Sequence, residues 1–418
     1  MPSILMFAPM CIPPSGAEQI VAAKFVTAAS RLGWGIDVIT WTNSALYYPE
    51  KLEERWYEVN GEVFSICDEN RRRVKNIPKL VFAAINTGHL TSGLIWADRA
   101  IKLAKKLIGR KHYDIIISRS HPYWGHLPAL TVARLARLPW LAVWNDPVPK
   151  AKEPPPYGRG TAATIPFLLK RYMNAVCRNA DINIFPTERL LDYMCSYLPG
   201  GTASKSAVIP HVSLRWQMPS VPHDEKFVVL HSGSLDEERN LENFLIGTNK
   251  ARRNNEGMPL ELHWVGKIDD KVKEQILSHG LDGCSTYRGS MSYPDAMKYQ
   301  GKAAILVVIE VPCEIGIYLP SKFVDYVQTG RPILAVSPKV GTLNDILSRC
   351  GGGIAADVNS PDSIAAALET LYAQWKSGTL EESYGSGRLY PLFSEEYVMG
   401  EYMKIFERLM KKRADQGH

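Results

Sequence analysis

The chain has 418 residues, of which 45% are hydrophobic and 22% are charged, and its net charge at pH 7 is +6. This composition is typical of a soluble globular protein and excludes a disordered chain or an integral membrane protein. The length predicts two domains of about 200 residues each. The mild positive charge is compatible with an anionic small molecule, an anionic membrane surface or nucleic acid.

The N-terminus enters an apolar run at once, without the basic segment and cleavage site of a secretion signal. The longest apolar window, residues 80–96, is interrupted by Asn86 and Thr87, which would be costly in hydrocarbon, so no transmembrane helix is predicted. The seven Cys residues are scattered and include no C-x-x-C pair. We therefore expect a cytoplasmic protein with reduced thiols.

Short apolar runs alternate with helical patterns in the first half of the chain, which predicts a parallel sheet of βα units. The predicted strands are residues 4–7, 36–40, 115–118, 141–144 and 182–185. The helix after the first strand has one apolar face, which we expect to be buried, and it ends at Gly33. That face consists of Val21, Phe25, Ala28 and Leu32.

The same alternation restarts after a Pro-rich stretch at residues 199–222, where we place the linker between two domains. The predicted strands of the second half are residues 228–231, 260–265, 304–309 and 333–336. A final helix at about residues 393–418 begins with a Ser cap and acids and ends with bases, as the helix dipole favours. We predict two doubly wound, Rossmann-like α/β domains that face each other across a cleft, at residues 1–212 and 225–392.

The loop after the first strand is the first candidate site, because ligands of doubly wound sheets bind beyond the carboxyl ends of the strands. Residues 11–18 form a Pro/Gly-rich loop that leads into a helix N-terminus and could admit a sugar or a phosphate. Its candidate ligands are Ser15, Gly16 and Glu18. A plain turn fits the same residues.

Polar clusters also follow two later strands of the first half. His121 ends a cluster after the strand at residues 115–118, and Asn145 and Asp146 follow the strand at residues 141–144. Asp146 fits a substrate-binding carboxylate and equally the cap of a turn or helix. His121 fits a wall of the site better than a catalytic base.

The second half of the chain contains residues that indicate a binding site more strongly. Gly233 and Ser234 follow its first strand, and Arg239 is predicted to begin the next helix. The Arg239 guanidinium could therefore reach a phosphate held over the Gly233 backbone.

Residues 317–326 lead from a loop into a short helix that Ser321 is expected to cap. Lys322 and Asp325 are three residues apart and share one face of this helix. They could hold a phosphate and a ribose together. A surface salt bridge between the two, of little energetic value, is the alternative.

Several common motifs are missing. The chain has no G-x-x-x-x-G-K-[ST] loop, and no G-x-G-x-x-G follows the first strand, so ATPases and dinucleotide-dependent dehydrogenases lose support. It has no Asp-x-Asp sequence and no tight cluster of His, Cys and carboxylate residues. We expect no protein-bound metal.

These residues resemble the retaining glycosyltransferases of family 4, which have the GT-B fold. The resemblance covers nearly the whole chain; it is weak at about residues 45–110 and best at residues 228–373. Gly233-Ser234-Leu235 stands where the family has glycine-arginine-leucine, and Arg239-Asn240 stands where it has lysine-glycine. Ser234 thus replaces one of two usual cations, for which Lys322 is expected to compensate.

The later family signature has two glutamates eight positions apart. Asp325 stands at the second, followed by Gly330 and Pro332 as in the family, whereas Ile317 replaces the first. Glu314 is close enough in sequence to substitute for it. The segments 320–322 and 144–147 resemble a bacterial branch in which cell-surface polysaccharide enzymes are frequent.

The resemblance implies transfer of a sugar from a nucleotide-diphosphate sugar to a glycan or lipid-linked acceptor, with retention of the anomeric configuration and without a cofactor. Arg239 and Lys322 would stabilise the leaving diphosphate, and Asp325 would bind the ribose. Asp146 and His121 would face the acceptor. The remaining implied donor-site residues are Gly233, Ser234, Gly266, Arg288, Gly289, Leu319, Pro320 and Ser321. The final helix resembles the segment that returns to the first domain in GT-B enzymes.

Residues 99–112 form a predicted basic amphipathic helix. Its cations could hold the first domain on an anionic membrane, at about 1 kcal/mol for each Lys or Arg. The alternative is the solvated face of a helix that covers the sheet. The cations are Lys102, Lys105, Lys106, Arg110 and Lys111.

Two other functions fit the same pattern. A nucleotide-sugar 2-epimerase would share the two-domain architecture and the donor cleft. A non-catalytic nucleotide-sugar-binding partner would explain Ser234 and Ile317 at positions that usually carry charge. Nucleic-acid binding is not expected, because the basic residues do not interleave with aromatic residues along any one element.

Overall fold

The computed structural model describes residues 1–42, 55–67, 81, 93–216, 225–236, 239 and 241–415. Within them, the first half of the chain forms a seven-stranded parallel sheet in the order β3-β2-β1-β4-β5-β6-β7. Its strands are β1 (Ser3–Phe7), β2 (Gly35–Thr42), β3 (Val63–Cys67), β4 (Ile115–Arg119), β5 (Trp140–Val143), β6 (Ile182–Phe185) and β7 (Ser206–Val208). This sheet with its helices is the N-terminal domain.

The second half forms a six-stranded parallel sheet in the order β10-β9-β8-β11-β12-β13, which repeats the order of the first sheet up to β6. Its strands are β8 (Phe227–Ser232), β9 (Leu260–Val265), β10 (Ser285–Gly289), β11 (Ile305–Ile309), β12 (Ile333–Ser337) and β13 (Gly353–Asp357). This is the C-terminal domain. In both sheets the order reverses beside the first strand, between β1 and β4 and between β8 and β11. Such switch points open the crevices in which ligands bind.

Helices cover both sheets. In the N-terminal domain they are α1 (Ala17–Arg31), α2 (Gly93–Ile108), α3 (His126–Ala136), α4 (Phe167–Asn179) and α5 (Glu188–Cys195). In the rest of the chain they are α6 (Glu242–Asn254), α7 (Asp270–Ser278), α8 (Tyr293–Gln300), α9 (Ser321–Thr329), α10 (Thr342–Cys350), α11 (Pro361–Lys376), α12 (Leu380–Tyr384), α13 (Tyr390–Phe393) and α14 (Glu395–Asp415). The predicted fold of two doubly wound domains is confirmed.

The central strands read as continuous apolar runs because helices bury both of their faces. Every residue of β4, β5 and β11 is buried. Strand β4 lies between β1 and β5, so Ile116 pairs with Leu5 on one side and with Trp140 on the other. This placement brings the loops after β1, β4 and β5 to one edge of the sheet.

The last helix, α14, returns to the N-terminal domain as predicted. Tyr402 packs on Phe25 of α1 with ring centroids 4.9 Å apart, and Phe406 packs on Trp34 at 5.3 Å. The Ser394 hydroxyl accepts a hydrogen bond from the Tyr397 backbone amide at 3.1 Å, which caps the first turn. Helix α14 therefore ties the end of the chain to its beginning.

The prediction for the first helix is correct except at its end. Val21, Phe25 and Ala28 of α1 are buried, whereas Leu32 is 38% exposed and the helix ends at Arg31. Leu32 follows the helix and is turned away from the core.

Four strands were not predicted from the sequence: β3, β7, β10 and β13. All four lie at or next to the sheet edges, where small and polar residues replace the long apolar runs, as in the sequence STYRG of β10. Strand β7 falls inside the predicted linker at residues 199–222. The residues 217–222 of that linker lie outside the described residues, and the predicted domain boundaries stay a prediction.

The two domains contact each other directly. Arg189 of α5 donates a hydrogen bond to Asp345 of α10 with Nη2 and Oδ1 2.9 Å apart. The Thr187 hydroxyl donates to the Ile317 carbonyl at 2.9 Å, and Ile317 packs in the core of the N-terminal domain. The residue that replaces the first family glutamate is thus an apolar contact between the domains.

None of the described helices is long and apolar enough to cross a membrane. The apolar window at residues 80–96 lies largely outside the described residues, since residues 82–92 are not among them.

Candidate functional site

A cleft of about 400 Å³ lies between the domains, beyond the carboxyl ends of the central strands. The N-terminal domain lines it with residues 13–17 after β1 and with residues 55–57. The C-terminal domain contributes the loops after its first three strands and the start of α9. The predicted site residues on its wall are Ser15, Gly16, Gly233, Ser234, Arg239, Gly266, Ser321, Lys322 and Asp325.

Two glycines shape the floor of the cleft. Gly233 has φ +135°, and a Cβ atom there would lie 2.8 Å from the Lys322 Nζ atom. Gly266 has φ +117°, and its Cβ atom would lie 2.5 Å from the Gly233 carbonyl oxygen. A side chain at either position would therefore clash as well as strain the backbone. The two glycines let the Lys322 ammonium group lie directly over the Gly233 backbone.

A buried histidine orients Lys322. The Lys322 Nζ atom lies 3.0 Å from His231 Nε2, and His231 Nδ1 lies 3.1 Å from the Val307 carbonyl oxygen. Because a carbonyl only accepts, Nδ1 carries the proton and Nε2 accepts a hydrogen bond from Lys322. Burial, with Lys322 and Arg239 nearby, holds the pKa of His231 well below its usual range. The neutral imidazole is thus a fixed acceptor for the lysine.

Arg239 brings a second cation to the same wall. Its Nη1 donates a hydrogen bond to the Ile309 carbonyl at 2.9 Å, while its buried Nε has no hydrogen-bond partner among the residues that the structure describes. Burial and the proximity of Arg239 hold the pKa of Lys322 well below its usual range. Arg239 was predicted to begin the next helix; it lies in a 3-10 turn, and the α-helix α6 begins at Glu242. This turn places its side chain near Lys322.

Asp325 does not pair with Lys322. Its Oδ1 atom accepts hydrogen bonds from Lys24 Nζ of α1 and from the Tyr293 hydroxyl, each at 2.9 Å. Asp325 is 7% exposed and Lys24 is 1% exposed. The alternative of a surface salt bridge between Lys322 and Asp325 is therefore wrong. The carboxylate predicted for the ribose is held by a buried ion pair between the domains.

The prediction that Ser321 caps α9 is also wrong. The residue at the cap is Pro320, whose side chain makes no capping hydrogen bond. Ser321 is the first helical residue and lines the cleft. The start of a helix favours an anion, because its first backbone amides have no partner in a preceding turn.

Aromatic side chains also line the cleft, and they were not predicted from the sequence. Trp56 of the N-terminal domain packs on Tyr293 of the C-terminal domain with ring centroids 4.4 Å apart. The Tyr293 hydroxyl also accepts a hydrogen bond from Gln328 Nε2 at 3.0 Å. Trp56 lies in the region where the family resemblance is weak. Only its aromatic character and that of Tyr57 could have indicated that this segment lines the cleft.

The polar clusters of the N-terminal domain form a separate network. Arg119 Nε lies 3.4 Å from Glu18 Oε1, and Asn145 Nδ2 donates to Glu18 Oε2 at 2.5 Å. Burial raises the pKa of the Glu18 carboxyl to about 8, although Arg119 opposes the shift. This network anchors the start of α1, whose preceding loop lines the cleft. Arg119 is its buried cation, a role that was not predicted from the sequence.

Asp146 and His121 lie beyond the lining of this cleft. Asp146 is partly buried, and burial raises the pKa of its carboxyl while the nearby His121 lowers it. His121 itself is exposed. The structure thus brings these two predicted acceptor residues close to each other, and it brings Asp146 close to Glu18.

The other predicted donor residues lie outside the lining. Arg288 is exposed and donates through Nε to the Tyr299 hydroxyl at 2.9 Å, and the Gly289 carbonyl accepts from the Gly266 amide at 2.7 Å. Leu319 is buried, and Pro320 is partly buried beside it. Glu314 is exposed, whereas the carboxyl buried near Arg239 belongs to Glu310, which is 8% exposed.

Among the described residues no group of three or more His, Cys, Asp or Glu side chains could hold a metal ion. The expectation that the protein uses no metal and no other cofactor stays a prediction.

The basic helix of the sequence analysis is α2. Its apolar face is buried against the sheet, including Trp96, Ala100 and Leu107. Lys102 pairs with Asp98 at 2.7 Å, and Lys111, beyond the helix, pairs with Asp37 at 2.9 Å. Lys105, Lys106 and Arg110 are exposed. A membrane could therefore meet the charges of this helix but not its apolar face.

No protein-family model and no curated protein sequence matches the chain. Its fold is similar to that of solved structures over nearly the whole length. The Anabaena protein HepE, solved with UDP and glucose, is 14% identical to this chain with a TM-score of 0.67. The match covers 98% of this chain and 100% of the HepE chain. Sucrose-phosphate synthase from Thermosynechococcus elongatus is 15% identical with a TM-score of 0.68, covering 99% and 100%.

A Listeria monocytogenes protein proposed to be a UDP-N-acetylglucosamine 2-epimerase is 10% identical, with a TM-score of 0.55 over 96% of this chain and 94% of its own. At these identities the likeness shows the fold alone. The fold is GT-B, which transferases and an epimerase share.

Proposed function

We propose that the protein is a glycosyltransferase that takes a sugar from a nucleotide-diphosphate sugar. One observation carries the proposal: Arg239, just before α6, and Lys322, in the first turn of α9, lie near each other on one wall of the cleft, where the Lys322 ammonium group lies over the Gly233 backbone. Guanidinium, ammonium and amide donors together are the groups that bind a diphosphate. The UDP complex of HepE, which has the same fold, supports this assignment.

The chemistry follows from the charge that develops when the sugar leaves. Cleavage of the bond between the anomeric carbon and the diphosphate places negative charge on the phosphate oxygens. Arg239 and Lys322 are fixed beforehand by Ile309 and His231, so they stabilise this charge without rearranging. We assign both residues to the stabilisation of the leaving group.

Asp325 is proposed to bind the ribose. Its Oδ1 atom is engaged by Lys24 and Tyr293, and the carboxylate lines the cleft. Its other oxygen, Oδ2, is the acceptor that we assign to the ribose hydroxyls. Because Lys24 belongs to the N-terminal domain, ribose binding depends on both domains.

The finer assignments rest on the resemblance to family 4. We propose that transfer retains the anomeric configuration and that the acceptor is a glycan or a lipid-linked glycan of cell-surface polysaccharide synthesis. Asp146, which follows Asn145 and lies near Glu18, and its neighbour His121 are the proposed acceptor residues. A cytoplasmic protein that associates peripherally with an anionic membrane fits the exposed cations of α2.

A thermal-shift screen with UDP-, GDP-, ADP- and TDP-linked sugars tests the proposal. A ligand at 100 times its Kd stabilises the folded state by about 2.7 kcal/mol, so one nucleotide family is expected to raise the Tm. Product analysis then separates the functions. Transfer requires an acceptor, an epimerase converts the donor sugar without one, and a binding partner leaves it unchanged. Absence of any shift contradicts the proposal.

Flotation with vesicles of anionic and of neutral lipid tests the membrane association. We expect binding to the anionic vesicles alone, and we expect Lys105→Glu combined with Lys106→Glu to abolish it, since each basic residue contributes about 1 kcal/mol. The control replaces the exposed Lys273 of α7. Equal flotation of the charge-reversed variant would remove α2 as the membrane-facing element.

A further inference from the structure

The helices α2, α3 and α4 form one layer on one face of the N-terminal sheet. Helix α3 packs against both α2 and α4, and the buried side chains of all three lie in one core with those of β4 and β5. Helices α1 and α14 cover the opposite face of the sheet. The exposed side chains of α2, α3 and α4 therefore point away from the sheet, and we call this surface the helical face.

The helical face carries almost no negative charge. Its three helices contain eight Lys and Arg residues and one acidic residue, Asp98. Asp98 pairs with Lys102 at 2.7 Å, so it offsets a cation of its own helix. The chain has no Asp or Glu between Glu153 and Asp181, a stretch that includes the whole of α4. The other exposed cations of this face include Lys105, Lys106, Arg134, Lys170, Arg171 and Arg178.

Two large apolar side chains project from the same face. Phe167, the first residue of α4, is 78% exposed, and Leu135 near the end of α3 is 58% exposed. Among the described residues no aromatic side chain is more exposed than Phe167. Lys170 and Arg171 follow it by three and four residues, so these three side chains share one side of the helix. An exposed aromatic ring thus lies beside two cations.

We propose that the helical face docks on an anionic lipid bilayer, with Phe167 and Leu135 inserted and the surrounding cations against the headgroups. Phe and Leu side chains enter the boundary between headgroups and acyl chains, while Lys and Arg attract anionic lipids. Helix α2 offers charge only, because its apolar side is buried against the sheet. The inference deepens the membrane association of the proposed function, since Phe167 and Leu135 supply the apolar part that α2 lacks.

The position of Phe167 connects this surface to the acceptor side of the cleft. Helix α4 ends just before β6 begins, so its first residue lies toward the carboxyl edge of the sheet, where the cleft opens. The segment that joins β5 to α4 also contains Asp146, one of the proposed acceptor residues. This segment is held by its own hydrogen bonds, such as that from the Arg159 amide to the Ala151 carbonyl at 2.8 Å. A lipid-linked acceptor in the bilayer would approach from the side of Asp146.

Flotation with vesicles made of equal parts of phosphatidylglycerol and phosphatidylcholine tests the insertion. Phe167→Ser leaves the net charge unchanged, so a loss of binding reports the apolar contact by itself. We expect its affinity for the vesicles to fall about 10-fold, the effect of keeping one Phe side chain out of the apolar layer. Phe167→Trp restores binding, because Trp also favours this boundary. Leu135→Ser combined with Phe167→Ser lowers the affinity further.

A matched control and a charge variant complete the test. Leu277→Ser removes a Leu side chain that is 62% exposed on α7 of the C-terminal domain, and it leaves flotation unchanged. Lys170→Glu combined with Arg171→Glu lowers the affinity about fivefold or more for each cation. All these side chains are exposed, so each variant keeps the Tm and the donor-induced thermal shift of the wild type.

The contradicting results are distinguishable. If the wild type floats and Phe167→Ser floats equally well, the helical face does not insert, and the membrane association through α2 stands. If the wild type does not float, the membrane association fails and this inference fails with it, whereas donor binding and transfer to a soluble acceptor are measured independently. Loss of a dimer in Phe167→Ser, without flotation of the wild type, would assign the face to a second copy of the chain.

Discussion

Each domain holds a buried group of ionisable side chains near the cleft, cations in the C-terminal domain and carboxyls in the N-terminal domain, and burial shifts both groups toward neutrality. On the C-terminal wall, burial and neighbouring cations lower the pKa values of Lys322 and His231. On the N-terminal side, burial raises the pKa values of Glu18 and Asp146. Burial destabilises the positive charge of this cationic group, so the group is stabilised most when an anion binds beside it. The carboxyl groups of the N-terminal domain suit the hydroxyl groups of a sugar.

The buried ion pair between Lys24 and Asp325 joins the two domains. Removing one of its charges has the largest expected effect. Lys24→Ala leaves the Asp325 carboxylate buried without its cation, which costs about 3–5 kcal/mol of the free energy of unfolding. Denaturant unfolding measures the loss. Lys273→Ala, which removes an exposed pair with Asp270, is the matched control and is expected to leave stability nearly unchanged. Equal stability of the two variants would show that the pair does not hold the domains.

Removing one cation tests the C-terminal wall by itself. Arg239→Ala is expected to lower turnover about 10²–10³-fold, the usual cost of losing one donor to developing charge. Arg253→Ala in the exposed last turn of α6 is the control. Steady-state kinetics with the donor identified by thermal shift measure the turnover of both variants. Wild-type turnover in Arg239→Ala would contradict the assignment.

Proton uptake on binding sharpens the comparison further. In the free protein the pKa of Lys322 is depressed by burial and by Arg239, and a bound diphosphate raises it again. Binding therefore takes up protons, and the affinity falls as pH rises between the two pKa values. Calorimetry in buffers of different ionisation enthalpy counts the protons. Release of protons on binding would contradict this prediction. So would proton uptake in Lys322→Met equal to that of the wild type.

The smallest expected effect concerns Glu310 and pH. Its pKa in the folded protein is about 8, above its ordinary value of 4.5, so the folded state binds the extra proton. The stability that this proton gives is complete below pH 4.5 and is lost as pH rises through 8. Glu310→Gln is therefore expected to gain Tm relative to the wild type at pH 8.5 but not at pH 4.5. A constant difference across this range would contradict the raised pKa.

Local patterns in the sequence were enough to place the cationic wall. Gly233, Arg239 and Lys322 each follow or precede a well-marked apolar strand, and the topology of parallel sheets sends such loops to one edge. The fold itself followed from the same alternation of strands and helices. The strands missed were those near the edges, where burial on both faces no longer demands apolar runs.

The contacts across the cleft could not be predicted. Asp325 is paired with Lys24, which is 301 positions away, and no periodicity connects the two. Trp56 stacks on Tyr293 from a segment without a recognisable motif. Glu310 was missed because the family pattern pointed further along the chain, to positions 314 and 317. Such partners depend on how the two domains are packed, which sequence spacing does not encode.

A crystal structure with the nucleoside diphosphate that gives the largest thermal shift tests the central claim most directly. We predict that its phosphate oxygens lie within hydrogen-bond distance of Arg239, Lys322 and the backbone amide beside Gly233, with the ribose against Asp325. A nucleotide bound elsewhere, with these two cations still held only by Ile309 and His231, would contradict the account.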